Sequence, residues 1–333
     1  AMAPMTRNRA GEGRVPTSMM ATYYMQRASA GLLISESVDV SPGAIGYPGT
    51  PGIYTEEQKE GWSTLVQAVK LTTGTPFFCQ LFHTGRVSHP SVRPDGSKPV
   101  APSAIAADIQ LYTPDGMQPA AEPEALSAEG IAEVVAEYVA AGEAAIDAGF
   151  DGVEVNAGNG YLIDQFLRDG SNTRTDAYGG DVEGRMRLLM DVVDGLCEAV
   201  GANRVGVRIS PFNTTNGVSE SDPESLFLAV ASALADRGLA YLHVIESAAS
   251  ATLTPQLRKR FGGIVIANDG YDRDSAEAAL QAGTADLVSF GRAFLANPDL
   301  PARFAAGAPL NEADPATFYG GTEQGYIDYP SMA

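Results

Sequence analysis

"GVEVNAG" (residues 152–158) is the stretch on which the fold turns. It is short, apolar and β-branched, and it ends in polar residues. It follows directly on 128–149, where Ile131, Val134, Val135, Tyr138, Val139, Gly142, Ala145 and Ile146 keep helical spacing behind Ser127, which is suited to cap the first turn. A short strand beside a long amphipathic helix is one unit of an α/β fold. Working outward, the same kind of run recurs as "GLLISES" (31–37), "PFFCQLFH" (76–83), "RVGVRIS" (204–210), "YLHVIES" (241–247), "GIVIAND" (263–269) and "ADLVSFG" (285–291), with helical segments between. The opening "AMAPMTR" (1–7), apolar and then polar, supplies an eighth. Eight alternations of strand and helix predict a (β/α)₈ TIM barrel; a doubly wound sheet is the rival that the same alternation permits.

The length of 333 residues suits one barrel domain spanning 1–333. A first strand that begins at Ala1 leaves no lead-in to close the bottom of the barrel, so the start is expected to be truncated. Segment 87–126 breaks the alternation with prolines at 90, 94, 99, 102, 114, 119 and 123. It is too long for an ordinary βα loop and follows the third strand, on the rim where barrel enzymes do their chemistry, so it is expected to form a lid-like insertion.

Lys plus Arg is 22 against 41 Asp plus Glu, a net charge of -19 that repels phosphate backbones and anionic lipid and so argues against nucleic-acid and membrane partners. No run approaches the roughly 20 apolar residues of a membrane helix. Cys79 and Cys197 both lie in apolar periodic segments, which suits reduced thiols and a cytoplasmic location. Monomer and homodimer are both open.

Polar residues at strand ends face the site of a barrel. Here they are Thr6 and Arg7, Ser35 to Ser37, Gln80 and His83, Asn156 and Asn159, and Arg208. Period-two alternation sets Gln80 and Phe82 on one face and Cys79 and Leu81 on the other, so Cys79 is expected to pack. The turns "ANDGYDR" and "GRAFLANP" after the last two strands each lead into a helix. Asn268, Gly270, Gly291 and Arg292 there suggest a phosphorylated ligand, although glycines that merely end strands would look the same. None of the four lysines sits at a strand end for Schiff-base chemistry, and the three histidines lack metal-ligand spacing. His243 reads as a satisfied core residue. A phosphate grip beside amides and an arginine suits a cofactor that brings its own reactivity.

The motifs "APMTR" (3–7), "GYPGTPGIYT" (46–55), "QLFHTGRVSHP" (80–90), "GNGYLIDQFL" (158–167), "SNTRTDAYGG" (171–180), "VRISP" (207–211), "FGRAFLANPDL" (290–300) and "FYGGTEQGYIDYP" (318–330) resemble, in order and over the whole chain, the Old Yellow Enzyme family of ene-reductases. The resemblance implies a barrel that holds FMN, takes electrons from NADPH or NADH, and reduces activated small-molecule alkenes. It implies that Pro4, Met5 and Thr6 meet the flavin edge, that Ser37 lies near N5 and O4, and that Gln80 pairs with the pyrimidine ring. It further implies that Arg208 stabilises N1 and O2, and that Gly270, Gly291 and Arg292 hold the phosphate. Tyr161 takes the place of the proton donor, and Tyr47, Phe82 and Tyr319 line the substrate pocket. The family's usual His-Asn or His-His pair is here Asn156 with Asn159. An amide can still donate to a developing oxyanion, but it is shorter than imidazole and never cationic, so phenolate-type ligands should bind less tightly. A flavin-binding paralogue with impaired turnover, and a non-redox phosphate-binding lyase or isomerase, are the alternatives.

Overall fold

The computed structural model describes residues 1–246 and 252–332. Ser247, the last residue of the predicted run 241–247, lies outside the described residues. In chain order the strands are β1 (Leu33–Asp39), β2 (Phe77–Phe82), β3 (Val100–Ala101), β4 (Gln110–Thr113), β5 (Gly116–Pro119), β6 (Glu124–Ala125), β7 (Gly152–Ala157), β8 (Val205–Ile209), β9 (Tyr241–Ile245), β10 (Val265–Asn268) and β11 (Leu287–Ser289). Seven of them form one sheet in the order β1-β2-β7-β8-β9-β10-β11, with every neighbouring pair parallel. Met2 closes it. It makes parallel bridges to both Leu33 and Phe290, with Met2 N–H donating to Leu32 O at 2.8 Å and Ala3 N–H to Phe290 O at 3.1 Å. The expected eighth strand is thus cut down to a bridge, because Pro4 has no N–H with which to continue a ladder. Closure rules out the doubly wound sheet, whose edges stay open.

The helices that cover the sheet are α1 (Ser18–Gln26), α2 (Glu56–Thr73), α3 (Ala128–Asp147), α4 (Leu162–Leu167), α5 (Val182–Val200), α6 (Pro223–Leu234), α7 (Thr254–Phe261), α8 (Arg273–Gln281), α9 (Arg292–Ala296) and α10 (Leu300–Ala306). The Ser127 hydroxyl accepts from Gly130 N–H at the start of α3, and Ile131, Val134, Tyr138, Gly142 and Ala145 are buried along it, as the spacing predicts. Outward strand residues such as Cys79, Leu81, Val153, Val155 and Val207 join the helix faces in one continuous core. Cys79 is fully buried, and burial pushes its thiol pKa up, so it packs and does not react.

Inside the barrel the lower end is apolar, with Ile34, Phe78, Tyr241 and Ile266 clustered. Their bulk explains the glycines opposite. A Cβ on Gly152 would lie 2.4 Å from the Phe78 ring, and one on Gly206 would lie 2.4 Å from the Tyr241 ring. The upper end is polar and carries the site.

Segment 87–126 has structure of its own. β3 pairs with β6 in parallel, and β4 with β5 as an antiparallel hairpin in which Tyr112 faces Met117. Both side chains are exposed, and both line the mouth of the cavity described below. No helix among the described residues is long and apolar enough to cross a membrane.

Candidate active site

A cavity of about 1420 Å³ opens at the C-terminal ends of the strands. Thirteen of the residues singled out from the sequence line it: Pro4, Met5, Thr6, Arg7, Tyr47, Asn159, Tyr161, Arg208, Asn268, Gly270, Gly291, Arg292 and Tyr319. The turn after β10 bends through two left-handed residues, Asp269 at φ 82° and Gly270 at φ 76°. Gly291 is the N-cap of α9, with Arg292 next to it. These two turns and Arg292 form one side of the cavity.

Arg208 projects from β8 and is buried. Its Nη2 donates to Asn268 Oδ1 at 2.7 Å, and Asn268 Nδ2 donates in turn to Ser289 O at 3.1 Å. Its Nε is buried and has no hydrogen-bond partner among the described residues. Burial lowers the Arg208 pKa, yet a guanidinium stays charged at neutral pH, so the cavity wall carries a cation with unspent hydrogen-bonding capacity.

Tyr161 caps the start of α4, and its hydroxyl lies 3.1 Å from that of Tyr47. Burial raises its pKa, against the opposing pull of Tyr47 and Asn216, so it is a neutral phenol with a proton to give. Asn159 has a left-handed backbone, φ 56°, between Gly158 and Gly160. The loop after β8 presses against this turn, and a Cβ on Gly160 would fall 2.3 Å from Thr215 O.

Four expected site residues do not line the cavity. Ser37, Gln80 and Asn156 are buried behind its wall in a chain whose directions are fixed. Gly158 N–H, which can only donate, meets Asn156 Oδ1 at 3.2 Å, so Asn156 Nδ2 is the end that donates to Gln80 Oε1 at 3.3 Å. Ser37 Oγ donates to the same Gln80 oxygen at 2.9 Å, and Gln80 Nε2 donates to Glu154 Oε1 at 2.7 Å. Phe82 is fully buried and packs edge-on against the Tyr161 ring, 4.5 Å between centroids. It backs the phenol and does not border the pocket. Ser35 and His83 also differ from expectation, and Arg7, though it lines the cavity, spends its guanidinium on backbone carbonyls. The Arg7 guanidinium donates to Phe318 O at 2.9 Å and Gly325 O at 2.8 Å. Ser35 Oγ sits within the sheet, accepting from Gln80 N–H at 2.9 Å. His83 is buried with Nδ1 accepting from Gly85 N–H, and burial, with Arg93 near, pushes its pKa down to about 3.

Sequence reasoning passed over Glu154. It is fully buried at the inward face of β7, with His243 Nδ1 2.8 Å from Oε2 and His243 Nε2 2.8 Å from Ser289 Oγ. Burial pushes the Glu154 carboxyl up, but His243, Arg208 and Gln80 outweigh it and hold the pKa below its ordinary value. Burial likewise lowers the His243 pKa, more than the adjacent carboxylate raises it. A neutral His243 carrying its proton on Nδ1, beside an ionised Glu154, satisfies both contacts. The signal was present: an acidic residue two before Asn156 on a buried strand must point inward.

The chain matches over residues 1–311 the model of the NADH:flavin oxidoreductase / NADH oxidase family. It belongs to that family. Among its relatives, a probable flavin mononucleotide-dependent alkene reductase of Leishmania infantum is 43% identical across 99% of this chain and 93% of its own. Morphinone reductase, solved in complex with tetrahydroNAD, superposes with a TM-score of 0.96 at 47% identity, covering 100% of this chain and 93% of the other. An Old Yellow Enzyme homologue from Zymomonas mobilis superposes at 0.95 with 44% identity, over 99% and 94%. The resemblance to the Old Yellow Enzyme family is therefore family membership, and the barrel is that of its structural neighbours.

Proposed function

We propose that this protein is an FMN-dependent ene-reductase that draws electrons from NADPH or NADH and reduces activated alkenes: enals, enones, nitroalkenes and maleimides. The observation that carries this reading is the pairing, in one cavity, of the Arg208 guanidinium with a protonated phenol, Tyr161, beside the Asn159 carboxamide. A volume of about 1420 Å³ exceeds that of an ordinary single-ligand pocket and leaves room for a cofactor and a substrate together.

The residues fit FMN. The Arg208 guanidinium would serve the N1 and O2 edge, and Gly270, Gly291 and Arg292 the phosphate, with Asn268 fixing Arg208. Pro4, Met5 and Thr6 would border the ring, with Ser37 and Gln80 in the buried layer beneath it. When bound, FMN supplies the hydride that adds to the β-carbon of the alkene. The protein's own part is electrostatic and acidic. Asn159 donates to the carbonyl or nitro oxygen on which charge develops, Asn156 backs it, and Tyr161 gives its proton to the α-carbon. Tyr47 holds the Tyr161 hydroxyl, and Tyr47 and Tyr319 border the substrate.

The purified protein is expected to be yellow, to bleach anaerobically with NADPH or NADH, and to regain colour when cyclohexenone is added. A colourless protein that takes up no FMN would point to a lyase or isomerase. Bleaching without reoxidation by the enone would mark a paralogue with impaired turnover.

A further inference from the structure

The loop that follows β8 determines which end of the Asn159 carboxamide meets the substrate. Thr215 N–H can only donate, and it lies 2.7 Å from Asn213 Oδ1. The Thr215 hydroxyl donates to the same oxygen. Asn213 is thereby fixed with Nδ2 pointing the other way, 2.9 Å from Asn159 Oδ1. Since that donor occupies the Asn159 oxygen, the amide nitrogen is the end left over. It has no protein partner among the described residues and is not among the buried polar atoms left without one, and Asn159 lines the cavity. The Asn159 backbone is held as firmly, with its N–H donating to Ser210 Oγ at 2.7 Å and its carbonyl accepting from Asn216 Nδ2 at 2.8 Å.

We propose that Asn213 is a positioning residue for the reaction. It relays the polarity of a backbone N–H through two amides so that Asn159 presents N–H, and not C=O, to the substrate oxygen. Without this relay the two orientations of an amide differ little in shape, and the carbonyl end would repel the oxygen it is meant to stabilise. The inference rests on the ene-reductase reading of the cavity.

Asn213→Asp is the decisive substitution, because a carboxylate still accepts both Thr215 donors yet offers nothing to Asn159 Oδ1, which must then rotate its NH2 toward Asp. Asn213→Ala removes the relay without adding charge. The probe is cyclohexenone, a neutral ligand, titrated into the oxidised FMN-loaded protein without reductant, with affinity measured by calorimetry and the bound carbonyl stretch by difference infrared spectroscopy. Asn213→Asp should weaken binding by roughly threefold to tenfold, the worth of one net hydrogen bond, and move the stretch toward its free-ligand frequency. Asn213→Ala should do so less. In an Asn159→Ala background, Asn213→Asp should cost nothing further. An equal loss in both backgrounds, or an unmoved carbonyl stretch, overturns the proposal. Should the loaded wild-type protein bind no cyclohexenone, the functional reading fails first, and the proposal with it.

Discussion

Tyr161 is an ordinary phenol made useful by its surroundings. Phe82 presses on its ring, Tyr47 meets its hydroxyl, and burial keeps the proton on it. Tyr161→Phe should keep all the packing and lose only the proton, so turnover of enones should fall by about 10²- to 10⁴-fold while FMN content and the rate of bleaching by NADPH stay unchanged. Stopped-flow measurement of the two half-reactions separates these, and a matched loss in both would remove Tyr161 from its role. Asn156 differs, because its amide is spent on Gly158 N–H and Gln80. Asn156→His restores a longer donor that can reach past that layer. Affinity for phenols, followed by flavin absorbance, should rise, and an unchanged dissociation constant would contradict the argument. The presence of both amides and the phenol was legible in "NAGNGYL". The withdrawal of the Asn156 amide into the buried layer was not, because it depends on the Gly158 N–H and Gln80 that hold it there, which no side-chain pattern records.

Five strands meet in the polar layer of the barrel: Ser37 from β1, Gln80 from β2, Glu154 from β7, His243 from β9 and Ser289 from β11. An ionised carboxylate only accepts, so it compels Gln80 to turn Nε2 toward it and Oε1 toward Ser37 and Asn156. Glu154→Gln conserves shape but brings an NH2 group that can face the donors of Gln80 and His243. Two buried charge-assisted hydrogen bonds are weakened, each worth about 1.5–3 kcal/mol. The FMN-free protein should therefore melt at a lower temperature, and FMN should be released more readily in a dialysis assay; unchanged values for both would show that the layer is passive. Period-two alternation predicted the inward side of Gln80, and the same rule applied to "GVEVNAG" reaches Glu154. The small strands of segment 87–126 were beyond it, since a two-residue ladder such as β3 with β6 arises from tertiary placement and leaves no periodic trace.

At the scale of the whole molecule, the start and end of the sequence are tied together by buried arginines. Arg7 and Arg9 donate to carbonyls of residues 317–325 and stack over Tyr326, and this holds Tyr319 at the cavity mouth. A contact across more than 300 residues of chain could not be read from local patterns. Nearby lie two buried acids. Burial raises the pKa of Glu36 to about 7 against the pull of Arg7, and that of Asp39 to about 7 against Arg14 and Thr50. An acid with a raised pKa binds its proton more tightly folded than unfolded. Its contribution to stability is therefore fullest below the unfolded value near 4, declines as pH rises toward 7, and stays low above that. His83 and His243 oppose it: both are held neutral when folded, so they cost stability as pH falls below about 6.5. The wild-type pH profile mixes the two trends, but the difference between a variant and wild type isolates one group. Asp39→Asn removes the ionisation and leaves every other group in place. Its melting temperature relative to wild type, at saturating FMN, should climb steadily from pH 4 to 7 and then level off. A difference that is flat with pH, or that shrinks as pH rises, would mean that the Arg14 ion pair outweighs the cost of burying the charge.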